Sequence, residues 1–287
     1  MITAYPLNLH IGSFEITGYG IMMMLAFLVG GWLADRELKR LGFASDYAGD
    51  MLLAAVIGGV IGAKLWYVGL HGTDALFTRG GLVWYGGFVG GTLAVILNGW
   101  RRGVPVRWTG QIIAPSLAAA YAIGRVGCYL VGDDYGRPTP AWFGVAFPQG
   151  VPPTTAGVMR TEFRGVPIPD GLAPDTLLAV HPTQLYEVAI MLVAFAFLWR
   201  WRTRPLGTGW LLGAYLVWAG AERFVVEFFR AKDDRFFGPL TLAQVFSIAM
   251  VILGVGMIAT WRGAAPVSPG SWLERGSPKK PVVAGVS

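Results

Sequence analysis

The sequence predicts an all-α polytopic membrane protein with about seven transmembrane helices and an irregular extracytoplasmic lobe between the fourth and fifth. The first ground is composition: 54% of the 287 residues are hydrophobic and only 14% are charged, with a mean hydropathy of +0.52. That leaves too few polar side chains to cover a water-soluble globule. The second is spacing, because apolar stretches close to the roughly 20 residues that a bilayer core requires recur along the chain. The third is the abundance of Gly (41) and Trp (12), since small residues let membrane helices approach closely and indoles favour the headgroup level.

Taken in order, spans are expected near 18–34, 51–70, 83–100 and 110–131. A stretch of about 50 residues follows, punctuated by Pro152, Pro153, Pro167, Pro169 and Pro174. Breakers at that density read as one irregular lobe outside the membrane, residues 132–180. Spans five to seven are expected near 184–200, 209–228 and 240–261. The membrane domain, lobe included, then covers 1–262. The remainder, 263–287, is rich in Pro, Gly and Ser and reads as a disordered cytoplasmic tail.

Orientation follows from Lys and Arg, because short loops rich in them stay cytoplasmic. One side collects Arg36, Lys39 and Arg40, then Arg101, Arg102 and Arg107, then Arg200, Arg202 and Arg204, and finally Arg262, Arg275, Lys279 and Lys280. The other side holds Arg79, Arg137, Arg160, Arg164, Arg230, Lys232 and Arg235, with none in its N-terminal segment. The N-terminus and the lobe are therefore expected outside, and the C-terminus in the cytoplasm. The first ten residues carry no Lys or Arg ahead of an apolar stretch, unlike a cleavable signal peptide. The net charge of +6 is scattered over short loops with no basic arm, which excludes a nucleic-acid footprint and points to anionic lipid headgroups. The lone Cys128 excludes an intrachain disulfide and any multi-cysteine metal site.

Three basic residues, Lys64, Arg125 and Arg223, fall within or at the ends of spans. An Arg at the centre of a membrane helix costs roughly 2.5–3.5 kcal/mol on insertion scales, so it usually faces a partner or a wet cavity. Near a span end it can instead snorkel to the interface. Snorkelling requires no carboxylate, yet Arg223 and Glu227 stand four apart on one helix face, with Arg230 a turn further on. A purely structural ion pair explains part of this trio. Two arginines with one acid leave positive charge to spare, and a guanidinium fork suits the oxygens of a phosphodiester headgroup.

Other polar runs sit at span ends. The stretch from Gly124 to Thr139 places four glycines, Arg125, Asp133, Asp134 and Arg137 at a helix exit, where backbone can approach a ligand closely or simply form a turn. His181-Pro182-Thr183-Gln184-Leu185-Tyr186-Glu187 opens the fifth span, with Thr183 able to cap it. Trp84-Tyr85-Gly86-Gly87 opens the third, and Tyr19 and Tyr85 fit interfacial aromatics as well as functional groups. Gly58-Gly59, Gly62, Gly86-Gly87 and Gly90-Gly91 mark either tight helix packing or a lateral opening.

With these residues in place the chain resembles the bacterial prolipoprotein diacylglyceryl transferases. The resemblance runs in order through Tyr19-Gly20, Tyr85-Gly86-Gly87, the signature from Gly124-Arg125 to Gly136-Arg137, His181 to Glu187, and the run from Arg223 through Glu227 to Arg230. It implies an inner-membrane enzyme that moves the diacylglyceryl group of phosphatidylglycerol onto the lipobox cysteine of a lipoprotein precursor's signal peptide, forming a thioether and releasing glycerol phosphate. It further implies Arg125 and Arg223 as essential phosphate-handling arginines, with Glu227 and Arg230 organising Arg223. Tyr19, Gly136 and the signature's first acid, here Asp133, fall on functional positions, and Arg137 closes the signature beside the substrate-binding group. His181 and Gln184 match a structural motif. No metal and no organic cofactor is implied. Three positions depart: Tyr85 replaces a histidine proposed as thiol base, Cys128 replaces asparagine, and Asp133 replaces glutamate. Tyrosine is a poor base near neutral pH, so the proton passes to Asp133 or to the leaving phosphate, or the histidine's role is positional. The competing expectation is a transporter or flippase for an anionic solute. No internal repeat supports it.

Overall fold

Apolar runs bounded by Gly, Pro and charge produce a mostly helical chain. The computed structural model describes residues 1–12, 14–42, 46–77, 81–163, 165–231 and 235–265. Arg79, Arg164, Lys232 and the tail's Arg275, Lys279 and Lys280, used above for orientation, lie outside the described residues, as does the expected tail from 266 onward. In chain order the elements are β1 (Ile2–Thr3), β2 (Asn8–Ile11), β3 (Phe14–Thr17), α1 (Gly18–Arg40), α2 (Asp46–His71), a 3-10 turn (Thr73–Phe77), α3 (Trp84–Arg101) and α4 (Val106–Val131). They continue with β4 (Val145–Ala146), α5 (Ala156–Glu162), α6 (Thr183–Trp201), α7 (Trp210–Glu227), β5 (Arg235–Phe237), β6 (Leu240–Thr241) and α8 (Leu242–Trp261).

Five of these helices, α1, α2, α4, α6 and α8, are long and apolar enough to cross a membrane. The chain is a multi-pass membrane protein on that ground. Two more helices coincide with expected spans but fall short on composition. The 18 residues of α3 include five glycines, and α7 carries Glu222, Arg223 and Glu227. Helix α1 extends to Arg40, beyond the expected 34, because Lys39 pairs with Asp35 at 2.7 Å and Arg40 with Glu37 at 2.6 Å. These i,i+3 and i,i+4 pairs support helix in a stretch whose charges end its hydropathy signal.

The chain divides into two compact units, with the division falling inside α1 and inside α4: one comprises Met1–Gly30 and Ala114–Gly263, the other Gly31–Ile113. In the second unit, glycines let α2 and α3 pack backbone to backbone. A Cβ at Gly62 would lie 2.8 Å from Gly90 Cα, and one at Gly58 would lie 2.7 Å from Gly90 O. Close packing is thus what these stripes do. A core of Leu38, Tyr47, Met51, Trp108 and Ile112 closes the unit's other end, where the Tyr47 and Thr109 hydroxyls meet at 2.7 Å.

In the first unit, α7 and α8 approach through Gly213 and Gly254, where a Cβ at Gly213 would lie 2.8 Å from Gly254 O. Helix α8 starts on a capping box: Thr241 Oγ1 accepts from Gln244 N and Gln244 Oε1 accepts from Thr241 N. Met191, Leu198, Leu211 and the small residues Ala114, Ala118 and Ala122 form the helical core. The segment between α4 and α6 has a core of its own, built on Tyr135, Val145, Phe147, Met159 and Val180. Tyr135 stacks on Phe147 at 5.7 Å, and β1 adds a parallel pairing to β4. The N-terminal strands were not expected, although Asn8–Ile11 and Phe14–Thr17 flank Gly12 as a hairpin should.

Candidate functional site

The site begins where α4 ends. Gly132 adopts φ 73°, its N–H donates to Cys128 O at 2.9 Å, and Asp133 N follows to the same carbonyl at 3.2 Å. This left-handed stop terminates the helix. Asp134 is the one non-glycine residue with positive φ among those described (56°), a conformation that Asp tolerates better than most residues. The turn is pinned from α6: Thr183 Oγ1 donates to Asp134 O at 2.8 Å, and Gln184 Nε2 donates to Asp133 O. Thr183 and Gln184, both fully buried, therefore anchor the signature rather than only starting a helix.

The turn presents Asp134 to two arginines. Arg125 Nη1 reaches Oδ2 at 2.9 Å, and Arg230 Nη2 reaches Oδ1 at 2.5 Å. The Nε edge of Arg125 is taken by Glu187 of α6, whose side chain is 0% exposed. One turn apart on α7, Arg223 and Glu227 pair at 2.7 Å, and Arg230 Nε stands 4.0 Å from the same carboxylate. The result is an alternating chain of six charges, Glu187, Arg125, Asp134, Arg230, Glu227 and Arg223. Spare positive charge, read from the α7 trio alone, is corrected here: Asp134 arrives from 96 residues earlier in the chain and balances three acids against three arginines. Local spacing cannot register a partner at that separation. Among the described residues Arg223 Nη1 and Arg230 Nε are buried without hydrogen-bond partners, so donors remain for an incoming acceptor.

The other expected residues take definite places. Asp133 forms no ion pair among the described residues, and its Oδ1 is buried without a partner. Gly136 is walled by protein, with a Cβ there meeting His181 Cβ at 2.7 Å and Thr183 Cγ2 at 2.9 Å. Its N–H donates to His181 O at 2.8 Å, while Arg137 N donates to Phe229 O at 2.8 Å. Arg137 Nε donates to Arg230 O at 3.1 Å. Gly136 and Arg137 thus tie the signature to the end of α7. His181 hydrogen-bonds the Tyr186 hydroxyl at 2.9 Å and packs edge-on to Phe229 at 5.4 Å. Tyr19 lies against Gly127, where a Cβ would come within 3.3 Å of its Cα. Cys128 is buried and accepts from Arg125 Nη1 at 3.3 Å. Tyr85 is the second residue of α3, half exposed, and belongs to the other unit.

The electrostatics separate the two acids of the turn. Burial pushes the Asp133 carboxyl up, and the charge of Asp134 adds to it, giving a value of about 6. Burial also opposes charge on Asp134, but the guanidiniums of Arg230 and Arg125 outweigh it and hold that carboxyl well below the usual range. Burial lowers His181 and raises Tyr135. Beside the turn a depression of about 380 Å³ is lined by Asp133, Asp134, Tyr135, Glu162, Phe163 and Arg230 among others. Sequence reasoning passed over Asp134 as a partner and Glu222, which is 2% exposed. The signal for Glu222 was a carboxylate beside Arg223 in an apolar helix.

Comparison with known proteins places the chain in a family. The family model for prolipoprotein diacylglyceryl transferase matches residues 6–260. Among curated proteins named phosphatidylglycerol–prolipoprotein diacylglyceryl transferase, the one from Burkholderia cenocepacia is 30% identical over 88% of this chain and 92% of its own. That from Paraburkholderia phymatum is 31% identical over 88% and 91%. That from Vibrio atlanticus is 28% identical over 88% and 89%.

Proposed function

Because the chain belongs to the prolipoprotein diacylglyceryl transferase family, we propose that its arginine cluster holds the phosphate of phosphatidylglycerol while the diacylglyceryl group passes to a precursor's lipobox cysteine. The sulfur–carbon bond forms at the glyceryl carbon, the carbon–oxygen bond breaks, and its electron pair leaves on glycerol phosphate. The observation that carries this reading is the convergence of Arg125, Arg223 and Arg230 on one charge chain that leaves a buried Arg223 donor unused. Negative charge grows on the leaving phosphate oxygens as the bond breaks, and each well-aimed donor in a poorly hydrated site typically supplies roughly 3–4 kcal/mol of the barrier. Glu227 holds Arg223, and Arg137 and Gly136 hold Arg230 in place. Tyr19 borders the lipid's approach.

The nucleophile is the substrate's thiolate. Cys128 is buried beside Arg125 and serves packing, not covalent transfer. Asp133 takes the thiol proton: a carboxyl near 6 is matched to base chemistry close to neutral pH. Tyr85, a poor base near neutral pH, does not accept the proton. All seven long helices span the inner membrane, with α3 and α7 among them, the N-terminus and the 132–180 lobe outside and the C-terminus inside. The family affiliation favours transferase over transporter.

The reading is tested by incubating the purified protein in detergent with phosphatidylglycerol and a lipobox peptide and weighing the peptide. A diacylglyceryl thioether on the cysteine is expected; an unmodified peptide from folded, lipid-binding protein refutes it.

A further inference from the structure

Asp134 differs from the other two acids of the charge chain. The side chains of Glu187 and Glu227 are closed off, 0% and 1% exposed, whereas that of Asp134 is 41% exposed. Those two stand on α6 and α7. Asp134 stands on the turn after α4 and lines the depression beside it.

Its two oxygens are divided between two arginines. Oδ2 accepts from Arg125 Nη1 at 2.9 Å, and Oδ1 accepts from Arg230 Nη2 at 2.5 Å. A phosphodiester offers the same contact, because its two non-bridging oxygens share one negative charge and pair with guanidinium donors as a carboxylate does. A chain of three arginines balanced by three acids has no net charge with which to draw an anion in. Exchange removes that difficulty: a phosphate in the place of Asp134 gains both arginines and leaves the balance of the chain unchanged. The arginines stay oriented throughout. Arg125 keeps Glu187 on its Nε edge. Arg230 keeps Glu227 at 4.0 Å and the hold of Arg137 on its carbonyl.

We propose that Asp134 is an exchangeable placeholder: the phosphate of the incoming lipid binds between Arg125 and Arg230 by displacing its carboxylate, which returns when glycerol phosphate leaves. The displaced side chain rotates into the open depression. This rests on the phosphate-binding reading of the cluster.

The test is calorimetric titration of the full chain in detergent with glycerophosphoglycerol, the headgroup diester without its acyl chains. Asp134→Asn keeps a side chain that accepts the left-handed backbone but removes the internal anion with which the diester competes. That variant should bind the diester about tenfold more tightly than wild type does. Asp134→Gly, suited to the same φ, should also bind more tightly and decides the matter where the Asn variant does not fold. Equal or weaker binding by the folded variants overturns the proposal, since removing an acid that merely organised the arginines would weaken binding. Arg230→Gln should weaken binding and abolish the gain from Asp134→Asn in the double variant. Weaker binding by Arg230→Gln with no gain from Asp134→Asn refutes exchange and leaves the phosphate reading standing, whereas binding indifferent to Arg230→Gln refutes both.

Discussion

Asp134 shows how much a single backbone angle contributes to this site. Its φ of 56° turns the carboxylate toward Arg125 and Arg230, while Asp133, one residue earlier, is left without an ion pair among the described residues. Two adjacent acids thus acquire opposite electrostatics, one held ionised by guanidiniums and one raised to about 6 by burial and by its neighbour. The consequence for catalysis has a definite sign. A base must be ionised to work, so turnover should rise with pH through about 6 and level off above it. Asp133→Asn should remove that limb and cost about a hundredfold or more in rate. A pH–rate profile unchanged by Asp133→Asn contradicts its role as the proton acceptor. The sequence made Arg125, Arg223 and Glu227 legible because charge in an apolar helix is costly and conspicuous. Asp134 was illegible as a partner because its pairing depends on a turn and on helices far along the chain.

Helices are where sequence and structure agree most closely, and their disagreements have physical causes. Hydropathy located the apolar middle of each span, but helix persists past the apolar segment wherever charges pair along one face, as at Asp35 with Lys39 and Glu37 with Arg40. The short strands β1 to β6 carry too few residues for periodicity to reveal them, the hairpin around Gly12 excepted. The glycine stripes of α2 and α3 were read as packing or as an opening, and the close approach of Gly58, Gly62 and Gly90 decides for packing. A side chain there must push two backbones apart, and overpacking of this kind costs about 1–3 kcal/mol. Gly62→Val should accordingly lower the thermal unfolding midpoint in detergent by several degrees. Gly69→Ala, at a position with nothing within 4 Å of its Cβ, should not. Equal midpoints for the two variants contradict the packing account.

For the molecule as a whole, membrane class and family were both legible: composition excludes a soluble globule, and five short stretches in order carry the resemblance that the match over residues 6–260 establishes. The alternating charge chain was not legible, since it joins α4, the turn after it, α6 and the end of α7, and only folding brings these together. That chain explains how three arginines are tolerated in and beside apolar helices, each already facing a carboxylate before any substrate arrives. It also holds the arginines in fixed orientation, which on the proposed function readies them for charge that develops only as the phosphate departs. Lysine keeps the charge but not the planar fork. The most direct measurement is therefore single-turnover transfer from phosphatidylglycerol to a lipobox peptide by wild type and by Arg125→Lys and Arg223→Lys, with folding checked in detergent. The account predicts losses of about a hundredfold or more for both lysine variants. Near-normal transfer by either one would contradict fork-like stabilisation of the leaving phosphate.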